Sequence, residues 1–120
     1  MTNQVQSSNQ KYDLQERTAI FGEKVIDLAL SIKSTPISSP LVNQIVRSAT
    51  SIGANYMEAD AADSKKDFRF KIALCKKESK ETMHWLRMIS RAVPEKTEEC
   101  RVLWKEVHEL VLIFSSILKK

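Results

Sequence analysis

The side chains best suited to chemistry in this sequence are two histidines, two cysteines and a long series of lysines and arginines. Glu81 and His84 stand three positions apart, the Glu-x-x-His spacing with which ferritin-like helical bundles hold a di-iron centre. Such a centre needs a second element of the same kind. The only other histidine, His108, is preceded at that distance by Lys105, so neither a metal nor any other cofactor is expected. Cys75 and Cys100 are too few and too unpatterned for a disulfide framework or a zinc site, and are expected to be reduced. The sequence contains no glycine-rich phosphate loop, no strand-turn-helix for a nucleophile elbow and no Cys-His pairing evident from spacing. The expectation is a non-enzymatic protein with no catalytic residues.

The cations carry more pattern. Lys65, Arg69, Lys76, Lys80, Arg87 and Arg91 follow one another by four, seven, four, seven and four residues. On a helix that spacing makes one continuous stripe, with His84 on the same line and Lys66, Lys71 and Lys77 nearby. Such rows bind phosphate backbones, because each cation on a phosphate releases counterions without reading sequence. The other reading is a solvated helix face that serves only solubility. A net charge of +4 and an isoelectric point near 9.1 are compatible with both.

Two further sets stand out. Arg47, Asn55, Glu58, Glu78 and Glu81 lie where neighbouring helices could bring them together, as a polar network fixing register or subunit contacts. Phe70, Leu74, Trp85 and Met88 lie off the main apolar stripe of their helix, and Trp104 off that of the next. A bundle helix needs one buried stripe about 100° wide. The surplus is read as an oligomer interface, with flanking core positions as the alternative.

The elements that position these residues are helices. Two glycines and three prolines in 120 residues are too few for the tight turns of a β-sandwich or barrel. Asp13 and Glu16 have capping-box spacing, and from there Leu14, Thr18, Phe21, Val25, Leu28 and Ile32 mark one helix face that should stop near Ser34, ahead of Pro36. Ser39-Pro40 predicts the next start, with Leu41, Ile45, Ser48, Ile52, Tyr56 and Ala59 inward and Gly53 giving a flat patch for close helix approach. Ser64 predicts the third, whose stripe is Phe68, Ile72, Cys75, Ser79, Thr82, Leu86 and Ile89. The fourth is expected from about Glu95 to Leu118, with Leu103, Val107, Leu110, Phe114 and Ile117 inward. Short connections make neighbours antiparallel. The fold class is therefore all-α, an antiparallel up-and-down four-helix bundle over residues 13–120, behind a disordered polar tail over residues 1–12. No signal peptide or spanning segment is evident, and a cytoplasmic location without membrane attachment is expected.

The motifs also resemble a known family. Gln44-Ile-Val-Arg47-Ser-Ala-Thr-Ser51-Ile-Gly-Ala-Asn55-Tyr-Met-Glu58-Ala, followed by Ser64-Lys-Lys-Asp67-Phe68, is similar to the signature of four-helix-bundle proteins encoded in intervening sequences of bacterial large-subunit ribosomal RNA genes. Lys77-Glu78-Ser-Lys-Glu81-Thr-Met-His84-Trp85-Leu86 and Leu14-Gln-Glu-Arg17-Thr-Ala-Ile-Phe21 resemble the same family's third-helix and opening motifs. The resemblance runs from about Asp13 to Leu118. It implies an up-and-down bundle within a group where homopentameric rings occur, and kinship with a basic pentameric accessory protein of diversity-generating retroelements. Partners implied are copies of the chain itself, RNA or DNA, and a reverse-transcriptase-like protein. This chain lacks a strongly basic tail. A structural or protein-interaction module that binds no nucleic acid is the alternative function.

Overall fold

The computed structural model describes the backbone of residues 10–120 and side chains from Leu14 onward. Four helices make up the fold: α1 (Gln10–Leu30), α2 (Ser38–Asp60), α3 (Lys65–Ala92) and α4 (Thr97–Lys119), with a short 3₁₀ turn at Pro94–Lys96 before α4. The expected tail falls largely outside the described residues, and the helix already runs at Gln10, so Asp13 lies inside it rather than at its cap.

Cross-helix contacts fix the topology. Thr18 meets Gly53 and Gly22 meets Thr50, so α1 and α2 run antiparallel. Arg47 reaches Glu78 and Glu81 while Lys71 reaches Glu58, which reverses α3 against α2. Arg69 bonds the Leu118 carbonyl and Ser90 bonds Thr97, which reverses α4 against α3. Arg17 with Glu106 closes the circuit between α1 and α4. The result is an up-and-down bundle with extents of 43 × 34 × 20 Å, flattened across its thin direction.

The apolar stripes meet at the centre. Phe21, Val25, Ile45, Ile52, Ile72, Leu86, Ile89, Val107, Leu110 and Phe114 are at most 1% exposed. Leu41, Phe68, Ile32 and Ile117, at the ends of their stripes, are half-buried against this core. Buried hydroxyls are satisfied: the Ser48 and Thr82 hydroxyls share a 2.8 Å bond across α2 and α3, and Thr18, Ser79 and Thr82 donate to the carbonyl four residues back.

Two further starts differ from expectation. The turn that opens α2 begins at Thr35, not Ser39. The Thr35 hydroxyl oxygen accepts from the Ser38 amide at 2.9 Å, and the Ser38 hydroxyl oxygen accepts from the Thr35 amide at 2.9 Å. This reciprocal pairing has the form of a capping box in which Ser replaces the usual Glu, and it orders the turn over Pro36 and Ile37 that leads into α2 at Ser38, so that Pro40 lies in the first turn of the helix rather than opening it. α1 correspondingly stops at Leu30, leaving residues 31–37 for the connection. At α4, Pro94 opens the 3₁₀ turn, so the α-helix starts at Thr97 rather than Glu95. Ser64 caps α3 as expected, its hydroxyl accepting from the Asp67 amide at 3.0 Å.

Candidate nucleic-acid interface

Five acidic side chains lie at two of the four helix seams, where cations hold them. Between α1 and α4, the Arg17 guanidinium donates to Glu106 at 3.0 Å and to Glu109 at 3.1 Å. Between α2 and α3, Arg47 donates to Glu78 at 3.2 Å and to Glu81 at 2.5 Å. The Trp85 indole N–H donates to the same Glu81 carboxylate at 3.0 Å, and Lys71 reaches Glu58 at 2.6 Å. Hydrogen bonds from Trp85, then Arg47, hold the Glu81 carboxyl below its ordinary range. Hydrogen bonds to Glu81 and Glu78 push Arg47 the other way, further towards permanent charge.

The α3–α4 seam has the opposite character. Arg69 donates to the last-turn carbonyl of Leu118 at 2.6 Å, and Arg87 and Arg91 face α4 residues across a shared hollow. Steps of four and seven place Lys65, Lys76 and Lys80 on the same line between and beyond them. Lys76 is half-buried and the other five are exposed. Among the described residues none of these six cations is ion-paired with a carboxylate. Lys65 to Arg91 spans about 39 Å of helix at 1.5 Å per residue. Arg69 differs from the rest, because its bond to Leu118 ties it to the C-terminal end of α4, where a cation is favoured by the helix dipole.

At the far end of this seam the hollow occupies about 570 Å³. Arg87, Ser90 and Arg91 line it from α3, and Thr97, Arg101 and Trp104 from α4, over a floor that includes Leu86 and Cys100. Arg101 pairs with Glu98 at 2.8 Å. The Trp104 ring stacks on His108 with centroids 5.0 Å apart and planes 15° from parallel.

The remaining residues singled out by sequence are dispersed. Trp85 is half-buried against the core and tied to Glu81, Leu74 and Met88 are half-buried, and Phe70 is 58% exposed. Trp104 does not share their face; it lies in the arginine-lined hollow on the α4 side of α3. Of the polar set, Arg47, Glu78 and Glu81 converge, Glu58 pairs separately with Lys71, and Asn55 donates only along its own helix to the Ser51 carbonyl at 2.9 Å. Lys71 therefore leaves the basic row for the α2–α3 seam. His84 is exposed and meets the edge of Trp85, so the Glu81-x-x-His84 element points away from the core. Both cysteines are free and buried, and burial pushes their thiols up, Cys75 to about 12 and Cys100 to about 11. Among the described residues no group of three or more His, Cys, Asp or Glu could hold a metal ion.

Two features escaped sequence reading. The Arg17–Glu106–Glu109 seam joins residues about ninety positions apart, for which a single sequence gives no signal. The second is a hollow of about 600 Å³ between α1 and α2 around Ala19, Gly22, Gly53 and Ala54, with Glu16 and Glu23 among its lining residues. Gly53 and Ala54 were the available clue.

Residues 10–116 match the family model described as 23S rRNA-intervening sequence protein. The chain belongs to this family. Its structure is similar to the crystal structure of a protein of unknown function from the S23 ribosomal protein family of Bacteroides thetaiotaomicron, with a TM-score of 0.82 and 28% identity. That match covers 92% of this chain and 98% of the other. No curated protein matches the chain. The bundle of this rRNA-intervening sequence protein thus carries a cationic α3–α4 seam beside two ion-paired ones.

Proposed function

We propose that this intervening sequence protein is a non-enzymatic, self-assembling accessory protein that binds nucleic-acid backbone along the α3–α4 seam. The observation that carries this reading is the segregation of charge. The six cations of the α3 row have no carboxylate partner among the described residues, although Arg101 across the seam pairs with Glu98, whereas Arg17, Arg47 and Lys71 on the other seams are neutralised. A row left unneutralised over about 39 Å suits a polyanion, and contacts of this type give affinity without base specificity.

Self-assembly rests on the exposed apolar side chain of Phe70, at 58%, and on the family resemblance, which favours a pentameric ring. Repetition of the seam around a ring would multiply its field. The same exposed residue favours the second reading, a protein-interaction module in which the cations serve only solubility. No described helix is long and apolar enough to cross a membrane.

Fluorescence-anisotropy titrations of labelled structured RNA and duplex DNA at low and moderate salt test the proposal. Binding to both, steeply weakened by salt, is expected. Absence of binding at low salt would leave the interaction module as the function. Light scattering after size exclusion should give several times the 13.7 kDa chain mass, and a strict monomer would defeat the assembly part.

A further inference from the structure

The geometry points to the Trp104 hollow as a seat for one unpaired base of single-stranded nucleic acid, stacked on the indole with its flanking phosphates held by Arg87 and Arg91. This rests on the basic-seam reading and adds to it a strand preference that a row of cations alone would not produce.

A tryptophan 38% exposed at a helix–helix seam is not explained by core packing. Its ring is backed by His108, stacked at 5.0 Å, which holds the indole plane in place before any ligand arrives. Preorganisation of that kind lowers the ordering cost of binding. Arg87 and Arg91 line the same hollow, and guanidinium forks match phosphate oxygens better than the ammonium groups that make up half of the row. The Ser90 and Thr97 hydroxyls, 3.0 Å apart, add donors and acceptors that a base edge could use. The floor is apolar in character, formed by Leu86 and the buried, neutral thiol of Cys100. A volume of about 570 Å³ lies within the range of small-ligand pockets.

The hollow selects for single strands because of how bases are presented. In a duplex both faces of every internal base are covered by its neighbours, and only edges and phosphates are offered. An unpaired base offers its π-face, and stacking on an aromatic platform is tolerant of base identity. The cations running from Arg87 back towards Lys65 would then track the backbone of the same strand.

The test uses the full chain, an oligothymidylate and a duplex of equal length. Trp104→Leu is expected to weaken oligothymidylate binding by about fivefold to about 150-fold, the range for loss of one stacked base, and to leave duplex binding and the salt slopes unchanged. Trp104→Phe, which keeps a π-face, should retain most of the single-strand affinity. In a Trp85→Phe background, oligothymidylate should quench the remaining indole fluorescence, a readout that needs no change at Trp104. Single-strand affinity unaltered by Trp104→Leu, an equal loss for duplex and single strand, or binding without quenching would each overturn the base seat while the cationic seam stands. Failure of the unaltered protein to bind either nucleic acid at low salt would overturn both.

Discussion

Replacing Arg47 with alanine should destabilise the bundle by about 1.5–3 kcal/mol, and the size of that loss depends on Glu78 rather than on Glu81. Arg47 spans two carboxylates of α3. Its own side chain is 47% exposed and that of Glu81 is 30% exposed, so their pair is worth about 0.2–1 kcal/mol in screened surroundings. Glu78 is different: its side chain is only 10% exposed, and Arg47 is its one ion-pair partner among the described residues. Removing the cation strands a mostly buried carboxylate, which costs about 3–5 kcal/mol where a pair is fully enclosed. The exposure of Arg47 admits water and brings the figure down. For a chain of this size the loss corresponds to a melting temperature lower by roughly 6–12 °C. Thermal and urea unfolding followed by circular dichroism would measure it, at one fixed protein concentration because assembly contributes to stability. Adding Glu78→Gln to Arg47→Ala removes the stranded charge, so the double variant should recover about 1 kcal/mol or more of the loss. A change below about 0.5 kcal/mol for Arg47→Ala, or no recovery in the double variant, would refute the assignment of Glu78 as a buried charge dependent on Arg47.

Gly53→Ala should raise stability by about 0.5–1 kcal/mol, since a Cβ there would lie 3.4 Å from the Thr18 hydroxyl and 3.6 Å from its backbone carbon, in ordinary contact, while the helix gains propensity. Gly53→Leu should instead cost about 1–3 kcal/mol, because Thr18 is held by its bond to the Leu14 carbonyl and cannot turn aside; equal unfolding midpoints for the two variants would contradict the close approach of α1 and α2. The lowered Glu81 carboxyl stabilises the fold at pH above its ordinary value of 4.5, and this contribution is lost as pH falls through the lowered value in the folded state. Urea midpoints of the unaltered protein and Glu81→Gln should therefore converge on acidification, and a gap that stays constant from neutral pH to below 4.5 would exclude this source of acid sensitivity.

The core was the most legible part of the molecule. Most residues spaced by three and four along α1 to α4 are buried, those at the ends of the stripes being half-buried, because helical period decides which side chains face inward. Helix ends were harder. Thr35-Pro36 and Ser39-Pro40 offer the same cap-then-proline pattern, and the choice between them depends on the reciprocal Thr35–Ser38 bonds, which are a property of turn geometry. The basic row was readable as a row, but its significance lay in where the acids go. Glu78 and Glu81 sit on the same helix as the cations; their spacing allowed a network with Arg47, and the position of α2 shows that they turn to it, away from the α3–α4 seam. Trp104 was visible as an off-stripe aromatic. Its surroundings were not legible, because only the arrangement of α3 against α4 places it among arginines.

The measurement closest to the central claim compares the salt dependence of nucleic-acid binding by the unaltered protein with that of Lys80→Gln/Arg87→Gln. Both residues are exposed and form no ion pair among the described residues, so the substitutions should leave the unfolding curve in place. Each lost phosphate contact flattens the slope of log affinity against log salt by about 0.9 on duplex DNA and about 0.7 on single strands. Flattening of roughly 1.8 and 1.4 units respectively is expected. Slopes that match those of the unaltered protein would contradict it, and would return the cations of the α3–α4 seam to the role of a solvated surface.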